Sequence, residues 1–227
     1  MVNPWILLFA CSTKLTPPPR THPLTHPLLV VCCTKDLGKA LDAWCNENGT
    51  AREDVVHVEL YGRQPPITRM RAPDMDGLSS CEKLSLSTNA IDKMQLSKSL
   101  RSLKVLSMGR NNLQRLDNSL ADVSSTLEEL WISYNAVAKL DALRSCKQLR
   151  VLYASNNALK ALADLNPLRE LPALEDAVLH HNPFYDALGD DDALRRQRIV
   201  KVLPQLKKLD GVLVTDEERE AAAALVE

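Results

Sequence analysis

The stretch that decides the fold lies at residues 126–140 and reads TLEELWISYNAVAKL. Its apolar residues follow a fixed spacing around Asn135 and stand at Leu127, Leu130, Ile132, Val137 and Leu140. Two apolar residues separated by one other residue point to the same side of a short β-strand. The asparagine then turns the chain, because its side chain can bond backbone groups that no neighbouring strand reaches. We therefore predict a strand, a turn and a return segment within this stretch.

The same pattern recurs along the chain. It returns at 81–94, 103–116, 149–162 and 174–188, and the last copy departs from it after Phe184. The asparagines at the five turns are spaced by 22, 24, 22 and 25 residues and are Asn89, Asn111, Asn135, Asn157 and Asn182. A period of this length with this spacing is the leucine-rich repeat. Since one repeat cannot bury its own leucines, neighbouring repeats must stack and bury them together.

Helices are predicted at both ends of the array, where an open repeat would expose its core. Residues 35–48 are amphipathic and precede Gly49, a common helix stop, so they should cover the first repeat. At the other end, Asp190–Asp192 precede a helical pattern that Pro204 ends. A capping box at Thr215–Glu218 then opens a final, alanine-rich helix.

These segments predict an α/β fold, a solenoid of about six repeats with parallel strands on the concave face and helices capping both ends. Residues 58–70 supply a degenerate first copy, and 203–209 supply a terminal half-repeat. The proline-rich start of the chain blocks helix and central strand and is interpreted as a disordered or extraneous leader. The expected organisation is a leader at 1–33, an N-terminal capping helix within 34–54, leucine-rich repeats over 55–188, and a C-terminal cap with a terminal helix over 189–227.

Composition excludes several classes of protein. The 227 residues carry 28 Lys and Arg against 29 Asp and Glu, a formal net charge of −1. A protein dominated by phosphate contacts would be strongly basic, so no nucleic-acid partner is expected. The apolar run at residues 5–11 is too short to cross a bilayer, and no membrane partner is expected. The six cysteines form no C-x-x-C pair and are interpreted as reduced thiols of a cytosolic protein.

No catalytic residue, cofactor or metal is expected. The sequence has no dinucleotide-binding glycine motif, no P-loop, no nucleophile elbow and no His-Glu-x-x-His zinc motif. His180 and His181 are neighbours on an expected strand and should point to opposite faces, which disfavours joint metal ligation. The basic cluster around Arg195, Arg196 and Arg198 is either a solvated helix face or a contact for an acidic surface such as a microtubule.

The candidate binding surface is the concave face of the predicted sheet. Residues that alternate with the core leucines should line it, and several are apolar or aromatic where polar residues would be expected. Exposed aromatic residues in one patch usually mark a binding site. The alternative is that terminal helices cover these side chains. The candidate contact residues are Val105, Ser107, Arg110, Glu129, Trp131, Tyr134, Val151, Tyr153, Val178 and His180.

The repeat sequences resemble those of one family. Four stretches, EKLSLSTNAIDKM (82–94), VLSMGRNNLQRLDN (105–118), TLEELWISYNAVAKL (126–140) and RVLYASNNALKAL (150–162), are similar to the leucine-rich-repeat light chains of axonemal outer-arm dynein. The resemblance covers about residues 34–219 and leaves out the leader. Its most specific part surrounds Trp131, because generic repeats do not require a tryptophan on the concave face.

The resemblance implies a non-catalytic light chain, monomeric on its own, in the cytoplasm and in the axoneme of a cilium or flagellum. Such a chain would bind an outer-arm dynein heavy chain near the microtubule-binding tip of its stalk and would regulate motor activity. The residues implied at the heavy chain are Ser107, Arg110, Trp131, Tyr153 and Val178, and those implied at tubulin are Arg195, Arg196 and Arg198.

Two other functions stay open on the sequence. The same class of repeat occurs in a regulatory subunit of type-1 protein phosphatase, although that protein has more repeats. It also occurs in a spliceosomal subunit with a similar Leu-Asp-Gly cap, found here at 209–211, which binds protein and RNA. The short array counts against the first function, and the neutral charge counts against the second.

Overall fold

The described chain begins with the predicted capping helix. The computed structural model describes residues 35–225, and the leader expected at 1–33 lies outside them. Helix α1 (Leu37–Asn48) starts after Asp36, whose side chain accepts a backbone hydrogen bond in the first turn. Gly49 ends the helix in a left-handed conformation with φ of 63°. Glycine adopts that conformation without the steric cost that a Cβ imposes.

Eight short strands follow one another in a single sheet in chain order. They are β1 (His57–Glu59), β2 (Lys83–Ser85), β3 (Val105–Ser107), β4 (Glu129–Trp131), β5 (Val151–Tyr153), β6 (Asp176–Val178), β7 (Lys208–Leu209) and β8 (Val212–Leu213). Strands β1 to β7 run parallel, and β8 returns antiparallel against β7. The central leucines pair in register from strand to strand, so Leu84, Leu106, Leu130 and Leu152 form one row.

Short 3-10 helices return the chain between strands on the convex side. Those between strands span Ala72–Met75, Asn118–Val123, Asp141–Ser145 and Leu162–Glu170, and one further 3-10 helix, Arg52–Asp54, joins α1 to β1. The tight 3-10 turn suits the short connection that each repeat allows. One continuous core made mostly of leucine fills the solenoid, and Leu130 at its centre is fully buried. The leucine-rich-repeat fold predicted from the spacing is therefore confirmed.

Asparagine side chains join each repeat to the one before it. The Asn111 Oδ1 atom accepts a hydrogen bond from the Ile91 N–H at 3.0 Å, and its Nδ2 atom donates to the carbonyls of Leu86 and Met108, each at 3.0 Å. The same arrangement recurs at Asn89, Asn135, Asn157 and Asn182. Because the turn leaves these backbone groups without ladder partners, the amides satisfy them inside the structure.

Charged residues of alternating sign stand at the starts of the strands, at the ends opposite the asparagine turns. The residues that precede β2 to β7 are Glu82, Lys104, Glu128, Arg150, Glu175 and Lys207. Lys104 pairs with Glu82 at 2.9 Å, and Glu175 pairs with both Arg150 and Lys207. Opposite charges on adjacent strands favour the observed order of the strands, whereas pairing a strand with the next but one would place like charges side by side.

Three helices close the C-terminal end. They are α2 (Pro183–Ala187), α3 (Asp192–Val202) and α4 (Asp216–Ala224). The predicted capping box of α4 is present, since Thr215 Oγ1 accepts from the Glu218 N–H at 3.2 Å and the Glu218 carboxylate accepts from the Thr215 N–H at 3.0 Å. Helix α2 is not anticipated by the repeat pattern. It starts where the fifth repeat departs, with a proline at its first position, which suits a helix start.

Candidate functional site

Two aromatic rings on neighbouring strands stack on the concave face. Trp131 and Tyr153 end β4 and β5 and pair in register. Their ring centroids lie 5.8 Å apart, and the ring planes are inclined by only 17°. Both side chains are half-buried, because their positions alternate with the fully buried Leu130 and Leu152. The terminal helices therefore do not cover the rings completely, and an aromatic surface stays open to a partner.

The positively charged side chain of Arg110 lies beside this pair, just after the strands end. The Arg110 guanidinium lies over the Tyr134 ring, 4.3 Å from its centroid, and Tyr134 is 48% exposed. Both residues have positive φ angles, 55° and 59°. Non-glycine residues rarely adopt this conformation, and the tight turn after each strand imposes it here. Within residues 35–225 Arg110 forms no ion pair, so its charge is balanced only by the face of the ring.

Small side chains next to the rings open a recess of about 260 Å³. Five residues predicted as contacts line it together, namely Ser107, Arg110, Trp131, Tyr134 and Tyr153. The rest of the lining comes from Ser87, Thr88, Gly109 and Ser133, which were not among the predicted contact residues. The one feature of the sequence that could have indicated them is their small size, next to a tryptophan on the same face of the sheet. We call this feature the serine recess.

The remaining concave residues extend the surface without lining the serine recess. Val105, Glu129 and Val151 occupy the first positions of their strands and form a half-buried row in register. Val178 pairs in register with Tyr153 and carries the apolar surface onto β6. The apolar stripe expected from the sequence therefore exists, and its centre is the stacked aromatic pair.

His180 belongs to a different environment from the other predicted contacts. Its Nδ1 atom lies 3.2 Å from the Asp210 carboxylate, and its ring meets that of His181 edge-on at 4.7 Å. The expectation that the two histidines point to opposite faces is wrong, because both follow β6, where strand alternation has ended and His181 has a φ of 57°. Together they line a separate cavity of about 440 Å³ at the C-terminal cap.

The same cavity shows no arrangement suited to a metal. Tyr185 donates its hydroxyl to Asp210, and burial, together with this carboxylate, raises the pKa of Tyr185. The carboxylate also accepts the backbone N–H groups of Leu179 and His180. Among residues 35–225, no group of three or more His, Cys, Asp or Glu side chains is placed to hold a metal ion. In that part of the chain no helix has both the length and the apolar character needed to cross a membrane.

The basic cluster of α3 faces the cap instead of presenting a row of free charges. Arg196 donates to the carbonyls of Leu209, Val212 and Leu213 at 2.8 to 3.0 Å and pairs with Glu218, and its side chain is only 18% exposed. Its neighbours bond within the cap as well, Arg195 to Gly189 and Asp192, and Arg198 to Leu188. The expectation of an outward-facing cluster therefore fails for Arg196, because carbonyls left without partners at the cap need donors.

Comparison with known proteins assigns the chain to a family. Residues 125–170 match a family model described as leucine-rich repeats in two copies. The chain is 50% identical over 190 residues to dynein axonemal light chain 1 of Mus musculus, and the match covers 81% of this chain and 96% of the mouse protein. The chain belongs to the dynein axonemal light chain 1 family.

Other relatives agree with this assignment. Dynein axonemal light chain 1 of Chlamydomonas reinhardtii is 47% identical over 167 residues, which cover 73% of this chain and 83% of the algal protein. A leucine-rich-repeat protein of Leptospira interrogans is similar in structure, with a TM-score of 0.56 and 23% identity, over 69% of this chain and 37% of that one. The bacterial structure supports the fold alone.

Membership of the dynein axonemal light chain 1 family confirms the resemblance seen in the repeats. It gives this chain the role of a dynein light chain and locates it in the axoneme of a cilium or flagellum. A light chain of this kind associates with dynein, and neither the family nor the repeats point to catalysis.

Proposed function

We propose that this light chain binds an outer-arm dynein heavy chain near the microtubule-binding tip of its stalk and regulates motor activity. The observation that carries the proposal is the stacked pair of Trp131 and Tyr153 on the concave face. The core requires apolar residues only at the inward positions, so two aromatic rings at outward positions need another reason. A partner that buries them supplies that reason.

The surroundings of the pair have the layout of an interface. Aromatic and valine side chains form a largely apolar centre, and the exposed Arg110 stands at its edge. Stable interfaces combine an apolar core with a polar rim and bury about 800 Å² on each partner. The sheet is held by inter-repeat hydrogen bonds from every asparagine turn, so it can bind without first becoming ordered.

Regulation requires a preference between two states of the motor. A ligand that binds both states of the stalk tip equally shifts nothing, however tightly it binds. We propose that the concave face distinguishes the two states, since a rigid sheet cannot follow a partner that changes shape. The phosphatase regulatory subunit remains the alternative, and its partner would be the phosphatase catalytic subunit.

The test is a calorimetric titration of the full chain with a recombinant stalk-tip domain of an outer-arm heavy chain. Trp131→Ala should weaken binding by about 2 kcal/mol, roughly 30-fold, as expected of a hot spot. The matched control is Tyr61→Ala, because Tyr61 is 65% exposed and follows β1, three strands away from Trp131. That variant should bind within about twofold of the unaltered chain.

The other possible results of the titration can also be interpreted. Binding that ignores Trp131→Ala would remove the interface from the aromatic pair. No binding to any outer-arm stalk tip would overturn the proposal, and binding to the phosphatase catalytic subunit would then establish the alternative. Thermal unfolding of each variant, followed by circular dichroism, separates a lost contact from a lost fold.

A contact with tubulin is a separate part of the proposal. Arg195 and Arg196 form ion pairs with Asp192 and Glu218 in the cap. Arg198 donates to the Leu188 carbonyl but forms no ion pair within residues 35–225, so we assign this contact to Arg198. Co-sedimentation of the stalk-tip complex with microtubules tests it. Arg198→Glu should lower the pelleted fraction, since it replaces a cation facing an acidic surface with an anion. An unchanged fraction would remove tubulin from the list of partners.

A further inference from the structure

We infer that the serine recess receives one bulky apolar side chain of the heavy chain, and that an acidic residue beside that side chain pairs with Arg110. This inference rests on the proposed function and specifies the chemistry of the segment that binds. It follows from the size of the recess, the state of its hydroxyl groups and the unbalanced charge at its edge.

The recess is large enough for a ring or a long aliphatic group. Its volume is about 260 Å³, whereas an engineered apolar cavity of about 150 Å³ already accommodates benzene. The floor reaches down to the backbone at Gly109, where a Cβ would lie only 3.3 Å from the Ser133 carbonyl oxygen. The wall on one side is the stacked pair of Trp131 and Tyr153. A partner side chain can therefore insert beside the rings instead of merely resting on them.

The three serine hydroxyl groups that line the recess are already hydrogen-bonded to serines. Ser87 and Ser107 share a hydrogen bond of 2.7 Å, and Ser155 donates to Ser133 at 3.0 Å. Serines satisfied in this way do not demand a polar ligand. An apolar occupant leaves these bonds intact and gains from burial against two aromatic rings, whereas a polar occupant would have to compete with the serine pairs for their hydroxyl groups.

The charge at the edge specifies the neighbour of that occupant. Arg110 rests on Tyr134 and has no acidic partner within residues 35–225. A carboxylate next to the inserted side chain would meet this cation where the aromatic faces exclude part of the water. The segment recognised is therefore an exposed part of the heavy chain that carries a large apolar residue beside an acidic one.

The test uses substitutions that fill the recess and leave Trp131 and Tyr153 unchanged. In the calorimetric titration with the stalk-tip domain, Ser133→Leu should weaken binding by more than about tenfold, because the new side chain occupies the site of the partner's. Its matched control is Ser133→Ala, which removes the hydroxyl but keeps the space and should bind within about threefold. Ser87→Leu fills the recess from the opposite wall and guards against a single variant that fails to fold. Arg110→Gln should weaken binding and reduce its dependence on salt.

The outcomes separate this inference from the proposed function. If Trp131→Ala abolishes binding while both leucine variants bind as the unaltered chain does, the recess is unoccupied and the inference is overturned, whereas the proposed function stands. If Trp131→Ala and the leucine variants all bind normally, the interface lies away from the concave face and the inference is overturned, whereas binding to the stalk tip itself stands. If Ser133→Ala is as damaging as Ser133→Leu, the hydroxyl is itself a ligand and the occupant is polar, which also overturns the inference.

Discussion

The Asn157 Oδ1 atom accepts a hydrogen bond from the Val137 N–H at 3.0 Å and so fastens one repeat to the repeat before it. The Nδ2 atom of the same side chain donates to the carbonyls of Ile132 at 3.0 Å and Ala154 at 3.1 Å. With a further bond to the Ser155 carbonyl at 3.2 Å, one buried amide thus serves four backbone groups in two repeats. Among residues 35–225 the Val137 N–H has no other partner, and the Ile132 and Ala154 carbonyls each accept a second amide, from Asn135 and Asn182. The stability of the array therefore depends on this ladder of amides more than on any exposed ion pair.

Replacing this amide should lower the free energy of unfolding substantially. We expect Asn157→Ala to cost about 1–3 kcal/mol, since the buried Val137 N–H is left unpaired and two buried carbonyls each lose one of their donors. Urea unfolding followed by circular dichroism measures the change. Asn166→Ala is the control, because Asn166 is exposed on a convex 3-10 helix, and it should change stability by less than about 0.5 kcal/mol. Equal losses in the two variants would contradict a special role for the turn amide.

Truncating a leucine at the centre of the core should also lower the free energy of unfolding. Leu130 is fully buried in β4, so Leu130→Ala should lower the free energy of unfolding by about 2–5 kcal/mol through lost burial and the cavity left behind. Leu213→Ala provides the comparison, because Leu213 is 70% exposed and its loss should cost less than about 0.5 kcal/mol. A small effect at Leu130 would mean that the neighbouring repeats collapse into the space.

Acid should weaken the convex side through Asp164. Its buried carboxylate accepts hydrogen bonds from the backbone N–H groups of Lys160 and Ala161, each at 3.0 Å. Burial by itself would raise the pKa of Asp164, but the Lys139 ammonium and these two N–H groups together hold the pKa below its usual value. A carboxyl with a lower pKa in the folded state stabilises the fold above its unfolded pKa, and this stability is lost as pH falls through the folded pKa.

The prediction for Asp164 is therefore a flatter pH dependence in Asp164→Asn. The melting temperature of the unaltered chain should fall below pH 4 by more than that of the variant, whereas at neutral pH the variant should be the less stable of the two. Asp122→Asn is the control, because Asp122 is exposed on another convex helix. Parallel pH curves for Asp164→Asn and the unaltered chain would show that this carboxylate does not contribute to acid sensitivity.

The C-terminal helix should depend on Arg196. This side chain joins α3 to the β7–β8 hairpin and, through Glu218, to α4. Arg196→Ala should raise the rate of amide hydrogen exchange across 216–224, because the carbonyls and the carboxylate that it satisfies lose their donor. Exchange in the central repeats should stay unchanged. Arg195→Ala is the control, since within residues 35–225 Arg195 contacts Gly189, Asp192 and the Tyr185 ring but no residue of α4, and its loss should leave α4 protected.

Much of this molecule could be predicted from the spacing of a few residues. The intervals between the turn asparagines and the alternation around Leu130 indicate parallel strands in register, and the amphipathic stretch before Gly49 indicates the N-terminal cap. Both predictions succeed because a repeat contacts only its neighbours, so local patterns describe most of its packing. Five of the predicted contact residues also meet at one recess, since alternation along a strand fixes which side chains share a face.

Tertiary structure decided what happens where the repeat ends and where side chains meet across strands. The bonds from Arg196 to β7 and β8, and the edge-on contact of His180 with His181, arise in the cap, where no period constrains the chain. The serine recess likewise depends on small side chains from three neighbouring strands lying next to one tryptophan. The sequence by itself determined the solenoid and its concave face, because a periodic pattern repeats one local solution. Only the folded chain decided the shape of the binding surface, because that shape comes from contacts between residues far apart in sequence.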